Sequence, residues 1–197
     1  MIELLLACAP AVDPVTMSAI VKQESAGHPW SINDNNGKKS YRMKTKQEAV
    51  LKATELISTG HSIDMGLAQI NSKNLRWLGL SVAQVFNPCT NVSAGAKVLT
   101  QVYQKTGSLQ AALSMYNTGK QNSPRGQAYA RQVLRHAGVI VPAPAGGKVA
   151  SLPPLKVAAR PTPAESTAVE AAAPSASPEP ISAAISPAAS RFSPSWR

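Results

Sequence analysis

The segment DPVTMSAIVKQESAG, residues 13–27, carries the clearest local signal in the chain. Asp13 is a typical N-cap residue, the proline after it suits the first helical position, and the final glycine is a typical helix terminator. Apolar residues recur at helical spacing between these ends, and the next position of the same stripe is Glu24. The apolar members of the stripe are Met17, Ile20 and Val21. The segment therefore predicts a helix whose apolar face ends in a carboxyl group.

Glu24 is a candidate general acid because of this position. An ionised carboxylate on an apolar face is costly unless it is paired, and burial raises the pKa of a carboxyl group so that it stays protonated near neutral pH. A protonated carboxyl group is the form that a general acid requires. The alternative is a glutamate at a helix end whose side chain turns to solvent. Position alone leaves both interpretations open.

The rest of residues 1–140 is predicted to be mostly helical, with one small strand region. Residues 31–41 are rich in turn formers and predict a loop or hairpin tip. A capping box that begins at Thr45 opens a helix that ends at Gly60, and residues 61–71 are predicted to be extended. Capping signals predict further helices that begin at Ser81, Asn91, Ser108 and about Arg125. These elements predict an α+β domain that is predominantly helical.

The end of the chain differs in composition from the rest. Of the 16 prolines in the 197 residues, 11 lie in residues 141–197, together with 15 alanines. Such a segment buries too little apolar surface to offset its ordering entropy. We therefore expect a disordered Pro/Ala/Ser-rich tail after a globular domain formed by residues 1–140. No apolar run approaches the ~18 residues of a membrane-spanning helix, so no transmembrane segment is expected.

The chain is basic, with a formal net charge of +10. Residues 1–140 carry +8 of this charge, from 15 Lys and Arg against 7 Asp and Glu. A basic domain favours a polyanionic partner, such as nucleic acid, acidic lipid or an acidic cell-wall polymer. Nucleic acid is not expected, because the positive charges are scattered and no base-stacking aromatic motif accompanies them.

Cys8 and Cys89 are the two cysteines of the chain. They are too few for a zinc site, and the three histidines share no ligand spacing, so neither a metal nor another cofactor is expected. The cysteines are either buried free thiols or one disulfide, and their spacing alone leaves both open. Residues 1–12 are apolar but have no basic n-region, so they do not resemble a conventional signal peptide, and the export route stays open.

A second group of polar residues lies in the segment DMGLAQINS, residues 64–72. Asp64 supplies a second carboxylate, and two carboxylates in different environments suit glycoside cleavage, although an aspartate close to a glycine is also a common turn residue. Gln69 and Asn71 are amides in an otherwise apolar strand, which suits sugars rich in hydroxyl and acetamido groups. Either amide also fits the polar face of a strand. Tyr116 shares a helical stripe with leucines and fits the core equally well.

Three ordered motifs resemble those of soluble lytic transglycosylase (SLT) domains. The pair E-S at residues 24–25, with a proline four residues later, resembles the family's E-S helix end. The segment GLAQIN at residues 66–71 resembles G-L-M-Q-I/V-N, and MYNTG at residues 115–119 resembles A-Y-N-A-G. Each motif is weak alone, whereas three in the right order are specific. The resemblance covers residues 1–137 and implies a lysozyme-like fold.

Two short segments around the cysteines narrow the resemblance. Cys8-Ala9-Pro10 and Asn87-Pro88-Cys89 are similar to the cell-wall-cutting component of type IV secretion and conjugation systems, which also carries a variable C-terminal extension. The resemblance implies a disulfide between Cys8 and Cys89 and a periplasmic location. It also implies partners in the secretion apparatus. The tail would then be a tether or a docking segment, and the alternative is an inert tail.

The segment that begins at Asp64 also resembles the D-Y-G-I-x-Q-I-N-S strand of animal-type lysozymes, in which the Asp is the second catalytic carboxylate. The 40 residues from Glu24 to Asp64 are a much longer gap than in those lysozymes, so Asp64 is a secondary candidate. The chain departs from the SLT pattern at three positions that pack beside the groove. These positions are Ala68, Met115 and Thr118.

The resemblance implies cleavage of the β-1,4 bond between N-acetylmuramic acid (MurNAc) and N-acetylglucosamine (GlcNAc) in peptidoglycan glycan strands. Protonated Glu24 would donate to the leaving oxygen, and attack by the muramyl 6-hydroxyl would give a 1,6-anhydro product. Ser25 would help to orient Glu24. The residues expected to line the groove are Gln69, Asn71, Tyr116 and Asn117. The alternatives are a hydrolytic muramidase that uses Glu24 and Asp64, and a non-catalytic wall-binding assembly protein.

Overall fold

The computed structural model describes residues 1–139 of the chain, which form eight α-helices and one small sheet. The helices are α1 (Ile2–Cys8), α2 (Pro14–Ser25), α3 (Lys46–Ser58), α4 (Leu75–Leu78), α5 (Val82–Val85), α6 (Pro88–Thr106), α7 (Leu109–Thr118) and α8 (Pro124–His136). The strands are β1 (Ser31–Asp34), β2 (Lys39–Arg42), β3 (Ile63–Met65) and β4 (Ile70–Asn71). The predicted α+β, predominantly helical class is confirmed. The predicted tail, residues 141–197, lies outside the described residues.

The four strands form an antiparallel sheet in the order β2-β1-β3-β4. Asn33 of β1 pairs with Ser40 of β2 on one side and with Asp64 of β3 on the other. Asp64 in turn pairs with Asn71 of β4. These four polar residues therefore form one row across the sheet, which we call the polar row.

Side-chain caps explain where several helices begin. Asp13 caps α2 by accepting hydrogen bonds from the backbone N–H groups of Val15 at 2.9 Å and Thr16 at 3.1 Å. The capping box predicted at Ser81 is present at the start of α5. The prediction that Asn91 begins a helix is wrong, because α6 already starts at Pro88. The cap of α6 is Asn87, and Asn91 lies inside the helix with its side chain buried.

The core lies between the long helices and the inner face of the sheet. Helix α8 packs on α7 and α2, and α6 packs on α7 and α1. The apolar stripe predicted for α2 is buried as expected, with Met17, Ile20 and Val21 in the core. Glu24, the next residue of the stripe, is half-buried at its end. No helix among the described residues is long and apolar enough to cross a membrane.

A disulfide joins the end of α1 to the first turn of α6. The sulfur atoms of Cys8 and Cys89 lie 2.02 Å apart, and the two Cα atoms lie 5.2 Å apart. The expected pairing is confirmed. The bond links residues 81 positions apart and holds α1 against α6, so it fastens the N-terminal helix to the rest of the domain.

Candidate active site

Glu24 lies in the last turn of α2, where the chain leaves the helix. Ala26 has a left-handed conformation with φ of 52°, and its N–H donates to the carbonyl four residues earlier, which ends the helix. The Ser25 hydroxyl donates to the Val21 carbonyl at 3.1 Å and accepts from the Gly27 N–H at 3.2 Å. These bonds fix the helix end on which Glu24 is carried.

Glu24 faces a polar cleft of about 310 Å³ between the end of α2 and the hairpin formed by β1 and β2. The uncharged polar residues that line it are Gln23, Ser25, Ser31, Asn33, Ser40, Tyr41 and Gln69. Glu24 is the one carboxyl group in the lining, and Lys22 and Arg42 are the cationic residues. Many hydroxyl and amide groups around a single carboxyl group suit a ligand that is rich in hydroxyl groups.

Tyr129 of α8 contacts Glu24 across the interface between α8 and α2. Its hydroxyl donates a hydrogen bond to Glu24 Oε1 at 2.7 Å, and its ring is buried. This bond restricts the orientation of the carboxyl group. The motifs do not indicate Tyr129. The available signal is a tyrosine on the buried stripe of α8, because a buried tyrosine hydroxyl needs a hydrogen-bond partner.

Gln69 lies in the turn between β3 and β4 and also lines the cleft. Its φ of 48° is in the left-handed region, which is uncommon for a residue other than glycine. Its side-chain Nε2 donates to the carbonyls of Gly66 at 2.8 Å and Ser31 at 3.3 Å. The amide is therefore held both to its own turn and to β1.

Asn91 of α6 holds this turn in place. Its Nδ2 donates to the carbonyls of Met65 at 2.9 Å and Val85 at 2.8 Å, and its Oδ1 accepts from the Ala68 N–H at 2.7 Å. The side chain is 1% exposed, so all three bonds are shielded from water. One buried amide therefore joins α6 to the end of α5 and to both sides of the β3–β4 turn.

Tyr116 and Gly95 also position this turn. The Tyr116 hydroxyl donates to the Ala68 carbonyl at 2.8 Å. Gly95 of α6 allows close approach, because a Cβ atom there would lie 2.7 Å from Ala68 Cβ and 2.9 Å from Met17 Cε. Ala68 is thus bonded through both its N–H and its carbonyl, which positions the following residue, Gln69, in the cleft.

Asp64 lies in the polar row and is 1% exposed. Its Oδ1 accepts from Asn71 Nδ2 at 2.8 Å, and its Oδ2 accepts from Asn35 Nδ2 at 3.0 Å. Asn71 is also buried, and its Oδ1 accepts from the Lys73 N–H at 3.0 Å. Neither Asp64 nor Asn71 lines the Glu24 cleft. Both belong to the hydrogen-bond network that joins β3, β4 and the β1–β2 hairpin.

Asp34 holds the tip of the same hairpin. Backbone hydrogen bonding to Gly37 lowers the pKa of Asp34 despite its burial, and hydrogen bonds from His61 and from the Asn36 N–H lower it further. The His61 Nδ1 lies 2.9 Å from Asp34 Oδ2. Ionised Asp34 therefore stabilises the β1–β2 hairpin, and other residues of this hairpin line the cleft.

Comparison with known proteins identifies the domain that carries this cleft. The model of the family described as "Transglycosylase SLT domain" matches residues 5–136. The chain belongs to the SLT domain family. The match spans both sides of the cleft, from α1 to the end of α8, and it agrees with the lysozyme-like, predominantly helical fold.

The SLT domain also has relatives among curated proteins. The type IV secretion system protein virB1 of Brucella abortus (strain 2308) is 34% identical over 146 residues, which cover 67% of this chain and 61% of the relative. Protein virB1 of Rhizobium radiobacter is 37% identical over 145 residues, 69% of this chain and 60% of the relative. The chain thus spans about 60% of the length of these relatives. No solved structure matches it significantly.

The SLT domain brings three of the predicted site residues to one cleft, namely Glu24, Ser25 and Gln69. Asn117, at the end of α7, lines an adjoining groove beside Tyr129. The predicted site residues that line neither space are Asp64, Asn71 and Tyr116. Within residues 1–139, no group of three His, Cys, Asp or Glu side chains is placed to hold a metal ion.

Proposed function

We propose that this SLT domain is a peptidoglycan lytic transglycosylase that cleaves the MurNAc-β-1,4-GlcNAc bond and forms 1,6-anhydro-MurNAc. The observation that carries the proposal is the single carboxyl group of Glu24 in a polar cleft, held by the Tyr129 hydroxyl at 2.7 Å. Membership of the SLT family and the order of its three motifs support the same activity.

The reaction needs one acid/base residue because the substrate supplies the nucleophile. Glu24 donates its proton to the glycosidic oxygen, the bond from that oxygen to C1 of MurNAc breaks, and GlcNAc leaves with a free hydroxyl group. The acetamido oxygen of MurNAc stabilises the positive charge that develops at C1. The Glu24 carboxylate then takes the proton of the muramyl 6-hydroxyl, whose oxygen bonds to C1. Glu24 is protonated again, and no water is consumed.

The contacts of the cleft residues suit this role. Tyr129 orients the carboxyl group of Glu24, and Ser25 fixes the end of the helix that carries it. Gln69, held by two backbone carbonyls, offers a rigid polar surface next to the acid. A preorganised site of this kind avoids the cost of ordering its groups when the substrate binds.

The surroundings of Asp64 favour this mechanism over hydrolysis by two carboxylates. A second carboxylate in a hydrolytic muramidase must reach the sugar or an attacking water molecule. Asp64 is 1% exposed, and both of its oxygens accept side-chain amide hydrogens from Asn35 and Asn71. These contacts support a structural role for Asp64 in the sheet.

We further propose that the enzyme opens the cell wall locally for a type IV secretion or conjugation apparatus and acts in the periplasm. The names of the virB1 relatives support the first part. The disulfide between Cys8 and Cys89 supports the second, since such bonds persist in oxidising compartments. In this proposal, residues 141–197 tether the enzyme or dock it to the apparatus.

Mass spectrometry of muropeptides after digestion of purified cell wall tests the proposal. The wild-type chain is expected to release anhydro products, which are lighter by one water than hydrolytic products. Glu24→Gln is expected to abolish release because the amide has no proton of suitable acidity to donate. Glu55→Gln, which changes an exposed glutamate of α3, is the matched control and is expected to retain full activity.

The possible outcomes separate the alternatives. Lysis that survives Glu24→Gln contradicts the site assignment. Products that contain the added water indicate a hydrolytic muramidase, and that outcome also predicts a loss of activity in Asp64→Asn. A wild-type chain that binds the wall without releasing any product indicates a non-catalytic assembly protein. Circular dichroism of each variant verifies that the fold is retained.

A further inference from the structure

A second groove adjoins the Glu24 cleft. It has a volume of about 410 Å³ and lies along the outer face of α8, next to the end of α7. Gln23 lines both spaces, and Tyr129 lines the second groove while its hydroxyl contacts Glu24 in the first. A ligand whose glycosidic bond lies at Glu24 can therefore extend directly into this groove.

The second groove is strongly cationic. Arg125, Arg131 and Arg135 line it, and its lining contains no acidic residue. The surrounding sequence has the same bias, because no Asp or Glu occurs from residue 65 to residue 139, whereas eight Lys and Arg do. We call this space the arginine groove. Its charge favours an anionic group, and guanidinium groups bind carboxylates through paired hydrogen bonds.

The spacing of the arginines on α8 fits an extended ligand rather than a single small ion. Arg125 and Arg135 are ten residues apart, which is about 15 Å along a helix. Ala128 lies between them in the lining, and its small side chain leaves room above the helix. An extended peptide of about four residues spans about 13 Å, so it can contact both ends of the groove.

We propose that the arginine groove binds the carboxylates of the peptide stems carried by MurNAc, so that the enzyme prefers glycan that still bears its stems. This inference rests on the proposed function. In stem-bearing glycan the lactyl carboxyl group of MurNAc is bound to the stem as an amide, so the two sugars are uncharged and the negative charge of the polymer lies on its stems. Because the groove meets the cleft at Tyr129 and Gln23, a ligand covalently attached to the cleaved sugar fits better than an unconnected polyanion.

The test compares glycan strands that carry stems with the same strands after an amidase has removed the stems, which leaves one lactyl carboxylate on each MurNAc. The full-length wild-type chain is compared with a triple variant that carries Arg125→Gln, Arg131→Gln and Arg135→Gln. Cleavage rates are measured at low ionic strength. Binding of a soluble tetrasaccharide is measured by calorimetry, which reports on the groove even if no bond is cleaved. The tetrasaccharide carries either stems or, in the stem-free form, simple amides on its lactyl groups, so that the stem-free form is uncharged.

A control variant separates local binding from overall charge. It carries Lys46→Gln, Lys73→Gln and Lys105→Gln. These three lysines are exposed and lie outside both spaces, and replacing them removes the same total charge as the arginine substitutions. The arginine variant is expected to bind the stem-bearing tetrasaccharide about tenfold more weakly than wild type, as loss of two or three exposed ion pairs predicts. Its binding of the stem-free form should not change, and the lysine variant should keep the wild-type preference.

Equal wild-type affinity for the two tetrasaccharides, or an equal loss on both in the arginine variant, overturns the inference. It is also overturned if the arginine variant loses binding to duplex DNA or anionic vesicles but retains the preference for stems. Failure of the wild-type chain to cleave either glycan counts against the proposed function. In that case, the difference in calorimetric affinity between the two tetrasaccharides still tests whether the arginine groove binds stems.

Discussion

Replacing Asn91 with alanine removes three buried hydrogen bonds at once. The N–H of Ala68 and the carbonyls of Met65 and Val85 lose the partner that now lies 2.7 to 2.9 Å away. Each buried polar group left without a partner costs about 1–3 kcal/mol. Because a carbonyl group can find a second partner more easily than an N–H, we expect Asn91→Ala to lower the free energy of unfolding by about 3–5 kcal/mol.

Urea denaturation followed by circular dichroism measures this loss. The matched control is Asn87→Ala in the same helix, because Asn87 is exposed and caps the helix with one backbone hydrogen bond, to the Thr90 N–H at 3.1 Å. Loss of such a cap costs about 1 kcal/mol. The reasoning would be refuted if Asn91→Ala lowered the free energy of unfolding by no more than Asn87→Ala does. The comparison requires that both variants keep the wild-type m-value in urea.

Three further changes test other contacts. Tyr129→Phe removes the hydroxyl that holds Glu24, so kcat on purified glycan should fall about tenfold with little change in the urea midpoint, and unchanged turnover would contradict a positioning role. Replacing both Cys8 and Cys89 with serine should lower the free energy of unfolding by about 4–5 kcal/mol, which is the chain-entropy value for a loop of this length. The variant should be as stable as the wild-type chain measured in the presence of a reductant. The pKa of Asp34 is lower in the folded chain than in the unfolded chain, where it is about 3.9. Ionised Asp34 therefore stabilises the fold above about pH 3.9, and this contribution is lost as pH falls through the folded pKa. Asp34→Asn should therefore lower the Tm at pH 7, and its difference in Tm from wild type should shrink as pH falls through the folded pKa of Asp34.

The elements that local patterns specify were predictable from the sequence. The α2 stripe is buried as its spacing indicates, and Glu24 ends it at the rim of a cleft. The Ser81 capping box needs only neighbouring residues, and it is present. The SLT motifs identified the family because their order is specific even though each motif is weak.

Residues whose roles depend on distant partners were not predictable in this way. Asparagine is a typical helix cap, but Pro88 starts α6 before Asn91, and two of the three hydrogen bonds of the Asn91 side chain join it to groups more than 20 residues away. Tyr129 is 105 residues from Glu24, so no local pattern could pair them. Asp64 lies in a motif shared with animal-type lysozymes, yet its surroundings depend on Asn35, a residue outside that motif.

The left-handed backbone of Gln69 has a consequence for attempts to make this SLT domain more stable. A non-glycine residue in that conformation costs about 1 kcal/mol, and the cost is met by the bonds that fasten the turn from α6 and α7. Glycine at position 69 would relieve the backbone, but it would also remove the amide that lines the Glu24 cleft and donates to the carbonyls of Gly66 and Ser31. Leaving those two buried carbonyls without this partner costs more than the backbone gains. A screen that selects only for heat tolerance should therefore keep Gln69, so stability and the polar lining of the cleft favour the same residue.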